Sequence, residues 1–332
     1  MKAVNVVLVG FGRVGKAFLQ VISEKKELLR KRYNLDIMIK AIFRRGRACI
    51  LQDNIDVNQL LEKDYYWKPG IALAQVLDTE EPGVLVECTP SNIKTGEPGL
   101  THINLALDKG WHVATANKGP LVVDLQSLRE KAKKNRLALK FSGATAAALP
   151  ALDVALYSLA GTEITRIEGI LNGTTNYILT KMEEGMDYRD ALKEAQAKGI
   201  AESDPSLDVG GWDTAVKILL ISNAVLETDF TLEDMNVEGI ENISSRFIKE
   251  KREEEKSLKL LGRLTKEEND YKIEVALTSI DDSHPLFGIK GAEKGISFTT
   301  DTMDKVTVTG GESDPKGAGA SILKDIINIY SG

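Results

Sequence analysis

A short apolar run, Val4 to Val9, ends in Gly10-Phe11-Gly12-Arg13-Val14-Gly15, and a helical pattern from Lys16 to Leu29 begins at once. This order of strand, glycine turn and helix leaves few folds open, because each glycine answers a separate steric demand. Gly10 permits the tight turn, Gly12 lets the backbone approach a pyrophosphate, and Gly15 lets helix and strand pack closely. The amides at the helix start are ready donors for phosphate oxygens. Gly10, Phe11, Gly12, Arg13, Val14 and Gly15 are therefore read as a dinucleotide-binding turn. Three spaced glycines alone would be a weak signal; their place between a strand and a helix strengthens it.

The following segments extend this start into a Rossmann-type parallel sheet. A second strand is expected at Ile37 to Phe43, reached by a right-handed crossover. An NAD site usually places an acidic residue at this strand's end, whereas a 2′-phosphate is met by arginine. Here the chain reads Arg44-Arg45-Gly46-Arg47, so NADP is the expected cofactor, with NAD as the alternative and a solvated basic turn as the plainer account. Asp53, Asn54, Asp56, Asn58 and the Tyr65-Tyr66-Trp67 cluster predict a short helix with loops over one sheet edge. A strand at Gly83 to Cys88 runs into Thr89-Pro90-Ser91-Asn92, and ligands of open α/β sheets lie beyond such carboxyl ends. Thr89 and Ser91 are thus candidate cofactor contacts, although a plain turn explains them equally well. Helix Leu100 to Lys109, strand Trp111 to Thr115, helix Leu125 to Asn135 and strand Leu137 to Phe141 complete this half.

The small-residue stretch Ser142 to Pro150 marks a domain crossing. Beyond it the pattern predicts a helix from Ala151 to Ala160, a strand from Ile164 to Leu171 and a helix from about Asn176 to Met182. After helix Tyr188 to Lys198 comes Gly199-Ile-Ala-Glu-Ser-Asp-Pro-Ser-Leu-Asp-Val-Gly-Gly-Trp-Asp-Thr-Ala-Val-Lys217, with four carboxylates and one lysine. Pro205, Gly210 and Gly211 break regular structure, and Trp212 to Leu226 then reads as a helix with apolar positions 212, 215, 216, 219 and 220. Asp213 and Lys217 stand four apart on it and share a face, which is also the spacing of an ordinary surface pair. A charged helix, Glu241 to Leu261, should lead to strands near Tyr271 to Ser279, Gly295 to Thr300 and Lys305 to Thr309, then to a C-terminal helix, Ser321 to Tyr330.

At 332 residues and 42% hydrophobic content, two domains with real cores are expected. The net charge of −6 is spread in both signs, which points away from nucleic acid and acidic membrane surfaces and toward small molecules. No apolar run reaches membrane-spanning length, and the N-terminus shows no leader pattern. Cys49 and Cys88 are far apart and lack metal-type spacing, which suits a reducing cytoplasm and argues against structural zinc; no metal ligand is assigned.

The second half resembles homoserine dehydrogenases through Ala-Glu-x-Asp-Pro-x-x-Asp followed by Gly-x-Asp-x-x-x-Lys. These positions are Ala201, Glu202, Asp204, Pro205, Asp208, Gly211, Asp213 and Lys217. Thr115-Ala-Asn-Lys118-Gly-Pro and Asn172-Gly173-Thr174 are similar to further segments of that family, so the likeness spans nearly the whole chain. It implies interconversion of L-aspartate 4-semialdehyde and L-homoserine with NAD(P)H, in threonine, methionine and isoleucine biosynthesis. It assigns Lys217, oriented by Asp213, and Lys118 to the reacting oxygen; Glu202, Asp208, Gly173 and Thr174 would hold the amino-acid end. It also implies that Lys316-Gly317-Ala-Gly319 is a glycine-rich turn returning to the nucleotide domain, with Gly317 near the cofactor. Expected domains are then 1–141 with 310–332, and 142–309 for substrate binding and homodimerisation. No kinase or regulatory extension is recognised, so no threonine feedback through such a module is expected.

Two departures stand out. Family members typically carry glutamate where Ser142 stands, and the serine removes the charged ligand a monovalent cation would favour. Ile200 stands where tyrosine is frequent, which puts one substrate contact in question. Rival readings are a non-catalytic NADP sensor on the same fold, or a reductase of another small amino-acid carbonyl. A phosphorylating semialdehyde dehydrogenase would need an activated cysteine, and neither Cys49 nor Cys88 has such a context. His102, His112 and His284 lie in no motif, so lysine is the remaining proton donor to a carbonyl oxygen.

Overall fold

A computed structural model of the protein describes residues 1–51, 67–268, 270–311 and 314–331. The chain forms two compact units, Met1–Ala147 with Asp314–Gly332, and Ala148–Ser313.

In the first unit the strands are β1 (Lys2–Val9), β2 (Leu35–Arg44), β3 (Arg47–Ile50), β4 (Lys68–Pro69), β5 (Val84–Glu87), β6 (His112–Thr115) and β7 (Leu139–Lys140). They make one sheet in the order β4-β3-β2-β1-β5-β6-β7. β2, β1, β5, β6 and β7 are mutually parallel, with Val9 opposite both Phe43 and Glu87. Strand order reverses at β1, which is where open α/β sheets leave a crevice at their carboxyl ends. Val4, Val6 and Leu8 bury one strand face against Phe18, Leu19 and Ile22 of helix Arg13–Tyr33 and against Ile322, Leu323 and Ile326 of the terminal helix, Pro315–Tyr330. A β-carbon on Gly319 would stand 2.7 Å from Phe18 N, so the two helices approach at a position open only to glycine.

Several expectations change here. Arg44 to Arg47 is a two-residue hairpin turn, with Arg45 and Gly46 at φ 45° and 74°, and β3 returns antiparallel to β2. The short helix expected around Asp53 to Tyr66 lies outside the described residues. The helix expected at Leu125 begins at Lys118, capped by Asn117 and kinked at Asp124. The Lys316 to Ala320 segment is helix rather than turn, because Pro315 starts it and the Asp314 carboxylate accepts from the Gly317 amide.

The expected domain boundaries, 141/142 and 309/310, move to 147/148 and 313/314. Ser142 is tied to the terminal helix: its amide donates to Asp325 Oδ2 at 2.9 Å and its hydroxyl to Oδ1 at 2.7 Å. Lys324 Nζ donates to the same hydroxyl at 2.8 Å. A carboxylate and an ammonium thus stand beside the serine, both supplied from far along the chain.

The second unit holds β8 (Ile164–Ile170), β9 (Asn236–Val237), β10 (Ser257–Glu267), β11 (Asp270–Ile280), β12 (Lys294–Thr300) and β13 (Lys305–Gly310), in the order β13-β12-β8-β10-β11-β9. Helix Trp212–Leu226 lies on β10 at Gly262, where an added β-carbon would meet Ile218 and Thr214 side chains at 3.0 Å. The expected helix Glu241 to Leu261 is shorter, Ser245–Glu253, and its last residues belong to β10. Glu255 at φ 58° stops the helix, and every residue from Ser257 to Gly262 is buried, a pattern that periodicity alone cannot assign. Ala151–Asp153 continues as a wider π turn, Val154–Ser158, in place of the expected helix.

Asp325 is 1% exposed and satisfies both donors of Ser142. Asp325→Ala should cost about 2–4 kcal/mol by leaving the two Ser142 donors without this acceptor and removing the carboxylate 3.3 Å from Lys324. Thermal unfolding checks this; Asp325→Asn, which keeps one acceptor, should fall between the two.

Candidate active site

In the first unit, the glycine turn has the backbone that its sequence demands. Gly10 has φ 104°, and its added β-carbon would lie 2.4 Å from the Cys88 carbonyl. That of Gly15 would lie 2.1 Å from Gly10 O, whereas that of Gly12 would meet nothing within 4 Å. Gly12 is the N-cap of helix Arg13–Tyr33, whose first turn has no acidic residue. Bare backbone, free space and a positive helix end fit an approaching diphosphate. Phe11 turns its ring inward, 5.1 Å from Trp67, and Val14 packs on the core, so at both positions the side chain is taken up by packing. Arg13 is exposed. Arg44 and Arg45 are exposed at the hairpin turn, the Arg44 guanidinium 5.8 Å over the Trp67 ring. The Gly317 amide donates to Asp314, and Lys316 pairs with Glu24 at 2.8 Å.

The carboxyl ends of β5 and β6 are joined by side chains. Lys118, half-buried, is the first residue of its helix, and its amide donates to Ser91 Oγ at 3.0 Å. Asn117 donates to Thr89 Oγ1 at 3.1 Å and accepts from Gly119 N at 3.0 Å. Thr89 in turn donates to Glu87, a buried carboxylate that sequence reading passed over. Cys88 is packed, and burial pushes its thiol well above the ordinary range, which removes it as a nucleophile.

In the second unit, β8 ends at Ile170, and two residues on Asn172 opens helix Gly173–Glu183. Asn172 Oδ1 caps that helix by accepting from Thr175 N at 2.9 Å. Its Nδ2 donates to Asp208 Oδ1 at 2.7 Å and to Asp213 Oδ2 at 2.8 Å. Lys217 Nζ donates to the same Asp213 oxygen at 2.6 Å and to Leu171 O at 2.9 Å. Lys217 and Asp213 are only 15% and 11% exposed, so this is no solvated surface pair. An ammonium has three hydrogens, and one remains to meet a further oxygen. Asp208 has its carboxyl raised above the ordinary value, first by burial and then by the charge of Asp213, against the hydrogen bond from Asn172 and the charge of Lys217.

The other substrate candidates divide. Gly173 and Thr174 are buried at the helix start, and the Thr174 hydroxyl donates to Ile200 O at 3.0 Å. Glu202 is exposed, while Asp204 accepts from Ser206 N at 3.1 Å as a local cap. Trp212, counted in the apolar stripe, is 41% exposed. Asn172 was passed over as a site residue because Asn before Gly-Thr-Thr already reads as a helix cap. Its second role, through Nδ2, depends on residues 36 and 41 positions away. Among the described residues no helix is long and apolar enough to cross a membrane, and no three His, Cys, Asp or Glu gather as a metal ion would need.

Known proteins share this arrangement along the whole chain. The family profile described as homoserine dehydrogenase matches residues 150–327, and the homoserine dehydrogenase NAD-binding profile matches 10–142. A homoserine dehydrogenase of Methanocaldococcus jannaschii is 37% identical, over 98% of each chain. A relative from Pseudomonas canavaninivorans named NAD(+)-dependent homoserine dehydrogenase is 31% identical over 99% of this chain and 97% of its own. The crystal structure of a homoserine dehydrogenase from Thiobacillus denitrificans superposes with a TM-score of 0.87 at 25% identity, covering 100% of this chain and 74% of that one. With the dinucleotide turn in one unit and the lysine–carboxylate cluster in the other, the chain belongs to the homoserine dehydrogenase family of NAD(P)-dependent oxidoreductases.

Proposed function

We propose that this chain interconverts L-aspartate 4-semialdehyde and L-homoserine with NADP as its preferred cofactor, serving threonine, methionine and isoleucine biosynthesis. The observation that carries the chemistry is the buried lysine, Lys217, held by Asp213 and Leu171 O with one N–H left over. In the reducing direction Lys217 gives a proton to the carbonyl oxygen; in the oxidising direction it takes the proton back. Asp213 keeps the ammonium aimed, and Lys118 is the second catalytic lysine. When bound, the nicotinamide supplies hydride to the carbonyl carbon or accepts it from the alcohol, so aldehyde plus hydride plus proton balances the alcohol formed.

Amides of Phe11 to Val14 hold the diphosphate at the helix start. Thr89 and Ser91 line the nicotinamide side. At the other end Arg44 and Arg45 meet the 2′-phosphate, with no carboxylate in the Phe43 to Arg47 turn to favour a free ribose hydroxyl. For the substrate, Asp208 with the Gly173 and Thr174 turn and Glu202 takes the amino-acid end. The ammonium of homoserine meets the buried Asp208 carboxylate beside Asn172. The proposal includes a homodimer built through the six-stranded sheet, one face of which carries the Arg166, Glu168, Arg263 and Glu274 ion-pair network. It also places the protein in the cytoplasm, in keeping with Cys49 and Cys88 as free thiols.

The deciding measurement is nicotinamide reduction with L-homoserine and NADP. Lys217→Ala should lower kcat by about 100- to 10,000-fold while remaining folded; near-normal turnover would remove Lys217 from the chemistry. Arg44→Asp with Arg45→Asp should raise KM for NADP by about tenfold or more and spare NAD, reversing the preference. An enzyme that favours NAD from the outset, as the Pseudomonas relative's name indicates for that protein, would refute the cofactor assignment.

Asp208→Asn should separate stability from binding. A raised carboxyl costs the folded state more as pH climbs, so the wild type loses stability from its ordinary value of 3.8 up to the raised value. The amide variant should melt higher at neutral pH, with the gap closing in acid, while KM for homoserine rises about 10- to 100-fold through loss of a charged hydrogen bond.

A further inference from the structure

Glu87 is the last residue of β5, is 0% exposed, and takes no part in the steps above. Its Oε1 accepts from the Thr89 amide at 3.2 Å and from the Thr89 hydroxyl, and His102 Nδ1 lies 3.4 Å away. Among the described residues Oε2 has no hydrogen-bond partner. It faces Gly99, the first residue of helix Gly99–Asp108, where an added β-carbon would stand 3.3 Å from it and 2.6 Å from Asn117 Nδ2. Burying a carboxyl with one oxygen unmatched is costly even beside a helix N-terminus, and an apolar side chain would pack at less expense. Packing alone does not account for an acid here.

Hydrogen-bond polarity does. A hydroxyl has one hydrogen, and Oε1 claims that of Thr89. The Thr89 oxygen then has only lone pairs to offer, and it accepts from Asn117 Nδ2 at 3.1 Å. This decides which end of the Asn117 amide faces Thr89. The other end, Oδ1, must point to Gly119 N, 3.0 Å away, where it caps the helix that starts with Lys118. Thr115 closes the loop, donating to the Glu87 carbonyl at 3.1 Å and accepting from Asn117 N at 3.0 Å.

We propose that Glu87 is a positioning residue for the nicotinamide side: a buried acceptor that acts through Thr89 and Asn117 to orient the turn carrying Ser91 and Lys118. The inference rests on the assignment of Lys118 as the second catalytic lysine. Glu87→Leu removes the acceptor, Glu87→Gln keeps it, and Asn117→Asp keeps the cap while losing the donor to Thr89. Two readouts are compared: hydrogen exchange of the Lys118 and Gly119 amides in the cofactor-free protein, and kcat and KM for homoserine oxidation.

Glu87→Leu should speed exchange at those two amides about tenfold or more and lower kcat about 10- to 100-fold, with KM for homoserine little moved. Glu87→Gln should restore both toward wild type, Asn117→Asp should lower kcat as Glu87→Leu does while its carboxylate keeps the Gly119 amide capped, and the double variant should have a kcat no lower than either. Wild-type exchange and kcat in Glu87→Leu would overturn the proposal, as would multiplying effects in the double variant. If Glu87→Leu does not fold, Asn117→Asp decides, and a wild-type kcat there overturns it. Lys118→Met is run in parallel: full activity in that variant sinks the assignment of Lys118, whereas amide exchange still reports on Glu87 independently.

Discussion

Two carboxylates, Asp208 and Asp213, accept from the two hydrogens of one buried amide, Asn172. Like charges brought this close out of water repel, and Asn172 and Lys217 both donate into the arrangement to offset this. The burden falls unequally. Asp213 has the lysine directly, while Asp208 has the amide and carries the raised carboxyl. The cluster stabilises the fold poorly, as buried like charges do, and such clusters gather at functional sites. It also explains the neighbouring elements: β8 delivers Asn172 and Leu171 O, and helix Trp212–Leu226 delivers Asp213 and Lys217 one turn apart.

The first unit is governed by the opposite device, the absence of side chains. Gly10 against Cys88, Gly15 against Gly10 and Gly319 against Phe18 are approaches that a single β-carbon would prevent. Each brings backbone to backbone, and together they leave the amides of a helix start facing open space at Gly12. The side chains that do matter there, Glu87, Thr89 and Asn117, bind the next two strand ends into one piece. Polar order in this unit is thus concentrated at the carboxyl edge of the sheet, while the core beneath is apolar.

Much of this was legible from the residues. The strands near Val4, Ile37, Gly83 and Trp111 lie where short apolar runs bounded by turn residues put them, and the helix from Trp212 to Leu226 where its repeating apolar positions put it. Reading failed where local signals were ambiguous. Ser257 to Gly262 is buried on both faces and has no telling period, and the glycines of Lys316 to Ala320 read as a turn although Asp314 and Pro315 start a helix there. Among site residues, Asp213 and Lys217 were singled out by the resemblance to a family motif, since their spacing on one helix is also that of an ordinary surface pair. Asn172 and Glu87 were not, since one looked like a cap and the other like a strand residue.

Local order alone dictated the glycine turn, the bare helix start behind it and the shared face of Asp213 and Lys217, because these depend on neighbours within a few residues. Only the folded chain could decide which distant groups complete each charge. Asn172 reaches Asp208 and Asp213 from 36 and 41 residues away, and Ser142 meets Asp325 across 183. A side chain's second hydrogen bond has no periodicity in sequence; its partner is chosen by which strand ends and helix starts packing brings together, and that is where the balance of buried charge is set.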